Sequence, residues 1–160
     1  MTRLFSLTVV LLAFGVSACG GGDDAPSKAE FGDAADKVCT EAEKAVRGIG
    51  GDASTPAEKA KAVDKLIDAT QASLDNLKEL DRPDGAAGEA AQKFVDSLAS
   101  DIEDKGIPAL EKVRDALKAK DEAALQKAGQ ELAAIDSSKT NRLARAAGAK
   151  GCGAESGGSN

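Results

Sequence analysis

Sulfur and carboxylate are the reactive groups this chain has to offer. It holds three cysteines, Cys19, Cys39 and Cys152, with 27 acidic side chains and no histidine. Lack of histidine excludes the usual general base, a Ser-His-Asp relay and His-containing zinc sites. It also removes the Glu-x-x-His pairs of di-iron helical bundles. The carboxylates gather in two places. Asp101, Glu103 and Asp104 are close in sequence, but successive helical positions point apart, and Asp101 with Lys105 has the spacing of an i,i+4 ion pair. Asp81, Asp84 and Glu89 flank a loop where Ca²⁺ could in principle sit, yet they lack the spacing and central glycine of an EF-hand. That loop therefore reads as solvated. No glycine-rich stretch follows a strand, so nothing suggests a phosphate cradle. Nor do the cysteines form a Cys-x-x-Cys motif, which argues against a redox or metal pair. No catalytic residue, metal ligand or cofactor is expected.

The first cysteine ends a segment with its own pattern. Arg3 is the only charge before Cys19, and residues 4–16 form an apolar run broken by Ser6, Thr8 and Gly15. A membrane-spanning helix needs about 20 apolar residues, whereas about 7–15 suit a signal-peptide core. Val16-Ser17-Ala18-Cys19 then resembles the lipobox of bacterial lipoproteins, with Val in place of the commoner Leu. That resemblance implies cleavage before Cys19, a diacylglycerol on its sulfur, and retention at the outer face of a membrane. It speaks to targeting alone. Two acyl chains meet the physical need for more than one chain in stable anchoring. The polar, glycine-rich stretch after Cys19 suits a flexible tether.

Removing the first 18 of 160 residues leaves 142, enough for one compact domain, and loss of Arg3 takes the formal charge from −6 to −7. An acidic chain without a basic block argues against nucleic acid and against a polybasic clamp on anionic lipid. Of four phenylalanines only Phe31 and Phe94 lie beyond the leader, and there is no Trp or Tyr. Aromatic-anchored binding surfaces and base-stacking platforms have little material here. Met1 leaves with the leader, so thioether ligation of haem or copper is excluded as well.

Apolar residues recur at three- and four-residue steps in four stretches. The first helix is expected over 31–47, with Phe31, Ala35, Val38, Ala42, Ala45 and Ile49 on one face, stopped by Gly48, Gly50 and Gly51. Thr55-Pro56-Ala57-Glu58 matches a capping box for the second, whose stripe is Val63, Ile67, Thr70, Leu74 and Leu77. A third spans 86–119, with Ala91, Phe94, Val95, Leu98, Ile102, Leu110, Val113 and Leu117 on one face. Gly106-Ile107-Pro108 interrupts it, and one kinked helix is preferred over two because the apolar phase continues. The fourth spans 121–147, with Leu125, Ala128, Leu132, Ile135, Leu143 and Ala146 inward and a softer patch at 136–139.

No strand-like alternation occurs, so the stripes must face one another, and short connections make neighbours antiparallel. The fold expected is an all-α, up-down-up-down four-helix bundle over 30–152. A signal peptide (1–18) and a lipidated cysteine with linker (19–29) precede it, and a tail (153–160) follows. With Cys19 assigned to lipid, Cys39 and Cys152 remain, and export allows a disulfide between them. In such a bundle the start of helix one and the end of helix four share one end. The chain after Gly148 has to fold back to reach Cys39.

A cysteine in helix one, a Leu-rich helix ending before Pro83-x-Gly85, and Gly148-x-x-x-Cys152 are also similar to small helical lipoproteins of high-GC Gram-positive bacteria (actinobacteria). This similarity rests on loose motifs; it supports the architecture and implies no activity. The functional expectation is a non-enzymatic lipoprotein of the cell envelope, anchored through Cys19 on the extracytoplasmic face. It would act as a binding or adaptor module, or as a structural spacer, with an envelope protein or a small apolar ligand as partner. The alternative is a carboxylate-based metal-binding protein or cryptic enzyme using Asp81, Asp84 and Glu89.

Overall fold

A computed structural model describes residues 25–152. Cys19, the expected signal peptide (1–18), the first part of the expected linker and the residues from 153 onward lie outside the described residues. Four helical rods form the bundle, and no strand is present among the described residues.

Rod one is α1, Lys28–Arg47. It starts earlier than the apolar stripe implied, because Ser27 and Glu30 close a reciprocal capping box. The Ser27 N–H donates to Glu30 Oε2 at 2.8 Å, and the Glu30 N–H to Ser27 Oγ at 3.2 Å. The boundary expected at residue 30 therefore moves into the linker. Phe31 and Ala35 are buried and Val38 and Ala42 half-buried as anticipated, but Ala45 is exposed and Val46 takes its place. A four-residue step from Ala42 keeps the larger side chain on the core face.

Rod two is α2, Pro56–Lys78, capped at Thr55 as expected. Glu58 accepts from the Thr55 and Ser54 N–H groups and from both hydroxyls, at 2.9–3.0 Å. Those bonds, the Thr55 N–H foremost, pull its carboxyl down to about 2. A lowered acid pKa stabilises the folded chain above the ordinary glutamate value of 4.5 and ceases to do so as pH falls toward 2. Glu58→Gln is therefore expected to lower the thermal midpoint at pH 7, with the gap to wild type closing as pH falls from about 4.5 to 2. Parallel melts across that range measure it; a gap that does not change with pH would contradict the cap's charge dependence.

Rod three runs without a break through α3 (Gly85–Ala99), a π-helical segment (Ser100–Gly106) and α4 (Ile107–Ala119). Pro108 brings no N–H and its ring would strike the carbonyl of Asp104 in an ordinary α-turn. The helix answers by widening: the Ile107 N–H reaches back five residues to the Ile102 carbonyl. One continuous rod results.

Rod four is in two pieces, α5 (Glu122–Ala133) and α6 (Ser138–Ala147), and not the single helix expected over 121–147. At the soft patch, Asp136 takes the Ser138 N–H at 2.8 Å and also accepts from the Ser138 hydroxyl. A short polar side chain thus competes with the helical ladder and ends it. Because α6 starts afresh, it does not inherit the phase of α5. Ala146 is exposed, and Ala144 and Ala147 are buried instead.

Neighbouring rods are antiparallel. α1 packs on α2, α2 on α4, α4 on α5 and α3 on α6, and ion pairs mark the register at Lys78–Glu103, Lys112–Glu131 and Arg114–Asp64. Apart from Arg114, which is half-buried, their side chains are exposed, and such pairs weigh little in stability. The core is thin: Phe31, Leu77, Phe94 and Val95 are its large members, surrounded by Ala35, Ala91, Ala144, Ala147 and Ala149. Arg82 closes one end of it, its guanidinium 5.6 Å from the centroid of the Phe31 ring. The same group donates to the carbonyls of Leu80 and Lys78, which α2 leaves open at its terminus.

Candidate binding groove

Cys39 and Cys152 are joined, with their α-carbons 5.4 Å apart at a sequence separation of 113. What brings them together is backbone geometry. α6 ends in a left-handed residue, Gly148 (φ 96°), which turns the chain back toward α1. Gly32 of α1 meets it backbone to backbone, since a Cβ on Gly32 would lie 2.4 Å from the Gly148 oxygen. Asp36 then takes hold of the returning strand of chain. Its carboxylate accepts the N–H groups of Lys150, Gly151 and Cys152 at 3.1, 2.6 and 3.0 Å. This carboxylate clasp went unforeseen. The Gly148 stop signal was visible in the sequence; the partner that receives it was not.

Beside the disulfide a largely apolar groove of about 340 Å³ opens between rods one, two and three, with Ser137 and Asn141 of rod four at its edge. Val38, Ala42 and Val46 of α1 form one wall, Leu74 and Leu77 of α2 the floor, and Leu98 with Ile102 the opposite wall. Two hydroxyls on its lining, Thr70 and Ser73, donate to the carbonyls of Leu66 and Ala69 on their own helix at 2.8 Å. They are spent on the backbone, so the floor behaves as apolar. Glu43 is the one charged side chain of the lining.

A larger cleft, about 520 Å³, lies on the other face of rod three, among Lys93, Asp96, Asp101, Lys105, Asp136 and Lys139. Its centre is a chain of hydrogen bonds. Thr140, itself buried, donates to Asp101 Oδ2 at 2.5 Å and pairs with the Ser97 hydroxyl at 2.8 Å. Lys105 reaches Asp101 Oδ1 at 2.6 Å, the i,i+4 pair read from the sequence. Burial pushes the Asp101 carboxyl up, but the bonds from Lys105 and Thr140 outweigh it and hold the group below its ordinary range. These side chains satisfy one another, and their product is a tie between the π-segment and α6. Hence the smaller groove is the better ligand site: its lining is mostly apolar, and a ligand there does not have to break a network of charged side chains.

The carboxylates considered for a metal are dispersed. Glu103 pairs with Lys78 and Asp104 accepts from the Ser100 hydroxyl at 2.8 Å. Asp84 precedes α3 as its N-cap, and Glu89 lies 3.6 Å from Lys93. Among the described residues no three Asp, Glu or Cys side chains converge as metal ligands. No described helix is long and apolar enough to cross a membrane.

Set beside known proteins, the chain matches no family model, and no curated protein or solved structure is significantly similar to it.

Proposed function

We propose that this protein is an export-targeted lipoprotein, anchored by a diacylglycerol on Cys19, that holds a disulfide-closed helical bundle at the outer face of a membrane. Its role is binding and not catalysis, and the groove beside the disulfide is where an apolar ligand sits. The carrying observation is the division of labour among three sulfurs. Two are joined across the end of the bundle, a bond suited to a compartment outside the cytoplasm. The third follows Val16-Ser17-Ala18 at the end of an apolar leader. A groove of about 340 Å³ falls at the low end of the range of small-molecule sites, about 300–1,000 Å³.

Replacing Cys19 with serine is expected to move the protein from the membrane fraction to the soluble fraction of the producing cells. Fractionation followed by mass spectrometry of the wild-type N-terminus reads both position and acylation. Continued membrane retention of the Cys19→Ser chain, or an unmodified sulfur at residue 19, would remove the anchor.

A further inference from the structure

The shape and lining of the groove specify its occupant further than "apolar". From Val38 to Val46 the wall of α1 rises about 12 Å. A wall of that length and an open space of about 340 Å³ suit one extended hydrocarbon chain. The walls are aliphatic, with no aromatic ring on which a flat ligand could stack. On α2 Thr70 and Ser73 are bonded to their own backbone, which leaves Ser137 and Asn141 at the α6 edge as the other uncharged polar side chains of the lining. Charge enters at one place, the exposed Glu43 carboxylate, on a chain that is acidic overall. An anionic head group would be repelled there and a neutral or cationic one accepted.

We propose that the groove between α1, α2 and rod three takes the single acyl or alkyl chain of a one-chain amphiphile with a non-anionic head group, drawn from the membrane. The membrane as source rests on the anchored reading above. Nine residue steps separate Cys19 from Lys28, a contour of at most about 30 Å, so an anchored bundle cannot leave the neighbourhood of the bilayer. Lipid tails and aliphatic side chains are equally apolar, so a chain passes between bilayer and groove at little cost, while water remains the disfavoured state for both.

The test uses the full chain with Cys19→Ser and its disulfide intact, so that no acyl group of its own competes. The methyl resonances of Val38, Val46 and Ile102 are followed while dodecyltrimethylammonium or dodecanoate is added below its micellar concentration. Saturable shifts with the cation are expected, with dodecanoate about fivefold weaker. Glu43→Gln should bring the two ligands together. Ala42→Trp fills the slot from α1 and should weaken the cation at least about tenfold; Ser73→Phe fills it from α2 and serves if the first variant does not fold. Unmoved methyls, equal binding to the filled variants, or tighter binding of dodecanoate would overturn the proposal. So would methyl shifts that depend on protein concentration alone, which would mean that a second copy covers the groove. Membrane retention is read separately on the unsubstituted chain, so failure of the anchor is distinguishable from failure of the groove.

Discussion

A chain with both Cys39 and Cys152 replaced by alanine is expected to lose about 2–5 kcal/mol of unfolding free energy. The bridge closes nearly the whole described chain, with a sequence separation of 113. In the chain-entropy account a loop of that size restrains the unfolded ensemble by about 4.8 kcal/mol. Typical domains are stable by about 5–15 kcal/mol, so much of the margin is at stake. The folded end of the bundle does not depend on the bond alone. Asp36 still holds the N–H groups of residues 150–152, and Gly32 still packs on Gly148. The variant should therefore keep its helical circular dichroism at low temperature while its denaturation midpoint falls. Urea titrations of the oxidised wild type and the double variant measure the difference. A loss below about 1 kcal/mol would show that the unfolded state is already restrained by other means.

Phe94→Ala is expected to remove about 3–5 kcal/mol, near the top of the range for deleting an aromatic ring. Phe94 is fully buried on α3, and the residues around it in the core include Ala35, Ala91, Ala144, Ala147 and Ala149. Alanine cannot swing into a void as leucine or methionine does, and α1 and α6, which bear Ala35, Ala144 and Ala147, are held together by the Gly32–Gly148 contact and the disulfide. The cavity should stay open, and the cost of a cavity grows with the volume left unfilled. Leu98→Ala is the internal comparison: Leu98 is only half-buried, so its loss should be clearly smaller. Chemical denaturation at constant slope separates a change in stability from a change in the denatured state. Equal losses at the two positions would refute an alanine-packed, non-collapsing core.

Read from the chain alone, the all-α class, the Thr55 cap, the face that carries Phe94 and Val95, and the pairing of the two downstream cysteines were all legible. Periodicity, caps and helix stops act within a few residues, and each is written in consecutive letters. The widening at Pro108 sits at the edge of that range: the proline announced a problem, and only the packed rod decided between a break and an extra residue in the turn. The division of rod four turned on Asp136 bonding Ser138, a local competition that the sequence showed as a soft patch without deciding it.

What the tertiary structure alone decided joins residues far apart. Asp36 meets 150–152, Gly32 meets Gly148, and Thr140 meets Ser97 and Asp101. The groove exists because half-buried Val38, Ala42 and Val46 face Leu98 and Ile102 across a gap. An apolar stripe states only that a face avoids water; which face covers it, and where two faces fail to close, depends on how four rods come together in space.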